Sequence, residues 1–174
     1  MDPSAVHDNV LNVAVDPGHA FVYIKSLGQV TSILSFGPGS PIGPSNIVQF
    51  LRGSLSGNAH WPLGGSANTW EFSIDKEHTD AAKKAISDFK DHVPNYTITS
   101  QCTSAALSVA AKAGLNLPSG VGPVIARESR VVRGHEIGVT LWSGNVANPY
   151  HLNQQMTEKY GSPTVVDTGT FPAP

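Results

Sequence analysis

The chain has 174 residues, 40% of them hydrophobic and 14% charged, which is enough to bury one real core. A formal charge of −2 without any lysine or arginine run argues against nucleic acid or an acidic lipid surface as the main partner. No stretch approaches the roughly 18 apolar residues of a membrane span, and a single cysteine excludes an intrachain disulfide.

Residues 1–10 read as a lead-in. Met1 to Asp8 has neither a basic start nor an apolar run, so no secretory signal is expected. The expected origin is the cytoplasm, with a specialised secretion system as the route of any export. Leu11 to Val15 alternates as a strand does, Asp16-Pro-Gly-His19 breaks it, and Ala20 to Ile24 resumes it. Leu27-Gly-Gln29 predicts a hairpin turn into an antiparallel strand over 30–36.

Gly37 to Pro44 opens an irregular stretch that lasts to Asn68. Thr69 to Ile74 is a third strand candidate, with Trp70, Phe72 and Ile74 on one face. Asp75 caps a helix over 76–91, whose apolar stripe is Ala82, Ala85, Ile86 and Phe89. Pro94 ends it, and Tyr96 to Thr99 is β-branched and aromatic, as a short strand would be.

Thr103 to Ala113 is alanine-rich and stops at Gly114, which predicts a helix with Cys102 in its first turn. There the unpaired N–H groups and the positive end of the helix dipole favour a thiolate. The plainer reading is a small buried hydrophobe. Polar neighbours (Thr99, Ser100, Gln101, Thr103, Ser104) set the site apart from an apolar core run, which favours a nucleophile. After Gly114 the chain reads as loop-rich, with a strand at 137–142 and a short helical turn at 153–160.

A cysteine nucleophile needs a histidine base. Of seven histidines, His7 lies in the lead-in, and His78 and His92 belong to the surface helix or its end. His19 starts a strand directly after Pro17-Gly18, a rigid mount beside a cleft; its plain reading is a strand-end histidine without a role. The residue that orients its ring comes from the far end of the strand over 30–36, either Ser35 or Ser32, or the backbone. The oxyanion would meet the Cys102 N–H, and the Gln101 side chain is a further candidate donor. Trp61, Trp70 and Trp142 could line a groove or simply fill the core. His135, Glu136 and His151 could wall the substrate side or hold a metal weakly, with loop surface the plainer reading.

Gly18-His19-Ala-Phe-Val, Ser35-Phe-Gly-Pro38, and Gln101-Cys102-Thr103 followed by Ala113-Gly114-Leu-Asn-Leu-Pro118 resemble the circularly permuted NlpC/P60-like cysteine hydrolases. The resemblance covers about three-fifths of the chain, 16–118. It looks most like the toxin domains of bacterial secretion-system effectors. It implies an α+β fold in one domain over 1–174: a papain-like core at 16–118, with an antiparallel sheet packed on the cysteine helix, and a loop-rich tail at 119–174. It further implies Cys102 as nucleophile, His19 as base and Ser35 as the third polar position. Gln101, Trp61 and His151 would lie on the substrate side. The substrate would be a peptidoglycan peptide or a protein amide, with no cofactor or metal and with an immunity protein as inhibitor.

Val15-Asp-Pro-Gly-His19 is also similar to the opening of zinc-dependent N-acetylmuramoyl-L-alanine amidases. Those need a glutamate soon afterwards and a second histidine. From Ala20 through Trp70 there is no acidic residue, and His60 is the one histidine. A non-catalytic binding module that presents the tryptophan-bearing loops is a third expectation.

Overall fold

The computed structural model describes residues 9–16 and 18–174; most of the lead-in and Pro17 lie outside the described residues. The fold is mixed α+β. Strands β1 (Asn9–Asp16), β2 (His19–Ser26) and β3 (Gln29–Leu34) form an antiparallel meander. Two short strands, β4 (Gly37–Pro38) and β5 (Gly57–Asn58), pair around helix α1 (Ile47–Leu51). Strand β6 (Ser66–Ser73) then returns to the far side of β1, and helices α2 (Lys76–Asp91) and α3 (Cys102–Lys112) follow.

The remaining elements are a ribbon of β7 (Val121–Val132) and β8 (His135–Ala147), helix α4 (Pro149–Tyr160) and strand β9 (Thr164–Asp167). The main sheet runs β3-β2-β1-β6-β9, antiparallel throughout.

Strand alternation divides the interior in two. Leu11, Val13 and Val15 of β1, with Ala20, Val22 and Ile24 of β2, face the helices and join Ala82, Ile86, Ala106, Val109 and Leu152 in the main core. Ala14, Phe21, Tyr23, Ile33 and Ala67 face the other way into a smaller cluster closed by Leu63 and Phe171. Helix α3 buries Ala105, Ala106 and Ala110 because alanine lets its backbone approach the sheet. Gly114, at φ +76°, ends it in the left-handed conformation.

Three expectations need correcting. Tyr96 to Thr99 forms no strand: Tyr96 sits in a loop that packs its ring on Phe36 and Phe50. The tail is not loop-rich, since residues 121–147 are a long two-stranded ribbon outside the main sheet. The helical turn at 153–160 starts earlier, with Asn148 capping the His151 N–H and Pro149 opening the helix.

Asn12, fully buried on β1 beside Tyr23 and Glu71, has no hydrogen-bond partner among the described residues for either side-chain polar atom. Leaving a buried amide unpaired is costly, whereas an apolar group of similar shape is not. Asn12→Leu should therefore raise stability by about 1–2 kcal/mol in urea unfolding; a loss of stability would show that Asn12 is paired in solution.

Candidate active site

The β1–β2 turn places Asp16 opposite His19 as the last pair of the ladder, with Gly18 at φ +90° supplying the turn. His19 heads the row His19, Phe21, Tyr23; its ring stacks on Phe21 with centroids 5.9 Å apart. A register shift between Ile24 and Lys25 decides what meets it. Below the shift Lys25 pairs with Val30; above it Ile24 pairs with Ser32 and Val22 with Leu34. Without that bulge Ser35 would fall in the Ala20 row; with it, Ser35 joins the row of His19 and Phe21. Ser32, the alternative orienting residue, lies opposite Ile24 and away from His19.

His19 Nε2 lies 2.8 Å from Ser35 Oγ, and that hydroxyl donates to the Trp61 carbonyl at 2.7 Å. The Trp61 N–H in turn donates to the Ser35 carbonyl at 2.9 Å. A carbonyl only accepts, so the one hydroxyl proton of Ser35 points to Trp61, and Nε2–H must be the donor to Oγ. Burial lowers the His19 pKa from 6.5 to about 4. The neutral imidazole is therefore the Nε2–H tautomer, and Nδ1 carries the free lone pair.

Cys102 is the first residue of α3. The first helical bond runs from the Ala105 N–H to the Gln101 carbonyl, and the Gln101 side chain caps the Ser104 N–H, leaving the N–H groups of Cys102 and Thr103 without partners in the helix. The Tyr96 hydroxyl donates to Sγ at 3.7 Å, and Thr103 Oγ1 lies at 4.0 Å. Burial first, and then the adjoining Cys102 sulfur, hold the Tyr96 hydroxyl well above its usual range, so it remains a donor.

The polar flanks had suggested a site outside the core. Cys102 is instead only 2% exposed and belongs to the helix-side cluster with Ala20 and Val22. Among the described residues no hydrogen bond joins it to His19, which stands in the opposite row and is held by Ser35. The expected direct contact between the two is absent.

The remaining candidates are placed as follows. Gln101 caps α3, and its side-chain Nε2 donates to the carbonyls of Ile98 and Ala147, so it is no free oxyanion donor. Trp61 lays its ring where a Cβ on Gly37 would sit, and it reaches His19 only through its carbonyl and Ser35. His151 lies over Gly122 and donates from Nε2 to the Pro123 carbonyl at 3.3 Å, which ties α4 to the ribbon. Among the described residues no three His, Cys, Asp or Glu side chains are grouped to hold a metal. None of the described helices is long and apolar enough to cross a membrane.

Sequence reasoning missed Tyr96 as a partner of the sulfur and Asp16 as a buried carboxylate. It also missed a pocket of about 490 Å³ between the Asp16 end of the sheet, the start of α4 and Val124. The motif Asp16-Pro-Gly-His19 was the one available signal, since a two-residue turn sets its ends side by side. Comparison with protein-family models, curated proteins and solved structures finds no match to this chain.

The His19 geometry has a pH consequence. Its pKa is lower folded than unfolded, so between about pH 4 and 6.5 the unfolded chain binds more protons and stability rises with pH. Wild type should lose up to about 1.4 kcal/mol per pH unit across that window on acidification. His19→Gln should flatten the dependence in urea unfolding; an unchanged slope would contradict a buried neutral His19.

Proposed function

We propose that the protein is a cysteine-dependent amidase or peptidase of the papain-like, NlpC/P60-like kind. The observation that carries this reading is the Trp61–Ser35–His19 chain, which leaves a neutral imidazole with an unprotonated Nδ1. A second support is Cys102 itself, at a helix start with a hydroxyl donor on its sulfur.

In the proposed reaction Nδ1 takes the thiol proton, and the sulfur attacks an amide carbonyl. The developing oxyanion meets the N–H groups of Cys102 and Thr103 at the start of α3. The C–N bond breaks, the amine leaves with the proton from His19, and water hydrolyses the thioester. The reaction requires the imidazole to give up both Ser35 and its stack on Phe21 and to pass from the aromatic row to the helix-side sulfur once substrate is seated. By resemblance, the substrate is a peptidoglycan peptide or a protein amide, the setting a bacterial effector toxin, and the inhibitor an immunity protein.

One observation favours a second reading, a non-catalytic binding module: Cys102 is buried and has no hydrogen bond to His19. The zinc amidase reading has no comparable support, since His19 Nε2 is engaged by Ser35.

Hydrolysis of peptidoglycan fragments and candidate proteins, followed by mass spectrometry, should fall about a thousandfold or more in Cys102→Ala and in His19→Ala. Unimpaired hydrolysis in either variant would remove the cysteine mechanism and leave the binding module.

A further inference from the structure

We propose that the protein forms a twofold dimer through the free edge of β7, with residues 126–132 paired antiparallel to the same residues of a second copy. Such a dimer is independent of the hydrolase reading.

Strands β7 and β8 form a sheet of their own, so among the described residues the outer edge of each strand is unpaired. A two-stranded ribbon is marginal by itself in water, and added strands stabilise it. Exposed edges are ordinarily blunted by lysine, proline or an inward charge. Pro123 does this near the base of β7, but Ala126-Arg-Glu-Ser-Arg-Val-Val132 contains no lysine, proline or glycine. Val131 in this segment is 74% exposed, and Val132 beside it is exposed as well.

The register supplies the complementarity. Arg133 and Gly134, at φ +53° and +79°, form a two-residue turn that makes Val132 and His135 a hydrogen-bonded pair. The ladder alternates from there, so Arg130 and Glu128 turn their backbone groups to β8. Arg127, Ser129 and Val131 turn theirs outward. A twofold axis at Ser129 sets Val131 against Arg127 of the second copy, and Ser129 against its own counterpart, with backbone groups facing.

The same axis sets Glu128 opposite Arg130 of the second copy and Arg130 opposite its Glu128. The two side chains share one face of the ribbon, since Arg130 Nε and Nη2 donate to Glu128 Oε2 at 2.9 and 2.8 Å. Two such pairs meeting head to tail make a ring of alternating charge, at the positions of an antiparallel ladder where side chains approach closest. Ala126 and Val132 flank the ring with apolar contact. The β8 edge offers no such match: Glu136 is its one carboxylate, and it carries no lysine or arginine. The result is an isologous interface that joins the ribbons into one continuous sheet.

Sedimentation of the whole chain over a concentration series tests this. Wild type should dimerise with a dissociation constant below about 100 µM. Glu128→Arg and Arg130→Glu each place like charges opposite one another across the axis, and each should weaken the dimer at least about tenfold. An equimolar mixture of the two variants restores opposite charges at both positions and should associate as wild type does. The double variant should do so alone. Recovery in the mixture also shows that both single variants are folded. A wild type that stays monomeric, a dimer that neither variant weakens, or a mixture that does not recover overturns the proposal. A monomer would leave the edge to an extended segment of another protein.

Discussion

A single buried hydrogen-bond chain, from His19 through Ser35 to the Trp61 carbonyl, fixes what this site can do. Each link constrains the next: the carbonyl takes the hydroxyl proton, the hydroxyl can then only accept, and the imidazole must donate from Nε2. The chain depends on one extra residue in β3. The bulge opposite Ile24 and Lys25 shifts the later part of the strand by one position, so that Ser35 stands in the His19 row. The register of the hairpin is thereby the register of the site.

The same alternation separates the sulfur from the imidazole. Cys102 rides on a helix that uses alanines to lie close over Ala20 and Val22, so its thiol enters the helix-side core. His19 belongs to the aromatic row on the other face, where Phe21 and Ser35 hold it. Each group has its own polar partner, Tyr96 for the sulfur and Ser35 for the ring. The proposed cysteine chemistry would require His19 to exchange Ser35 and the Phe21 stack for contact with the thiol.

What could be read from the sequence followed the strength of local pattern. The helix over 76–91 emerged with its Asp75 cap because an amphipathic stripe and a capping side chain agree. The helix from Cys102 emerged because alanine content and Gly114 bracket it. Of the ribbon only the strand at 137–142, inside β8, is legible in the sequence; the rest stays hidden because neither of its faces is wholly buried. Arg127, Glu128, Ser129 and Arg130 therefore carry no alternation to read. Tyr96 misled because an aromatic beside β-branched residues reads as strand, while its ring is needed in the core against Phe36. The burial of Cys102 was masked by hydrophilic neighbours, of which Thr103 is itself fully buried beside the sulfur. The pocket joins residues as distant as Asp16, Asn68 and Asn153, and only the folded chain brings them together.

The central claim is the protonation state of His19. Nitrogen NMR of the imidazole near neutral pH, with long-range coupling to the ring protons, reads the tautomer directly. The account predicts a neutral ring with the proton on Nε2 and a bare Nδ1, and Ser35→Ala should release that preference. A proton on Nδ1, or a charged imidazolium at neutral pH, would contradict it.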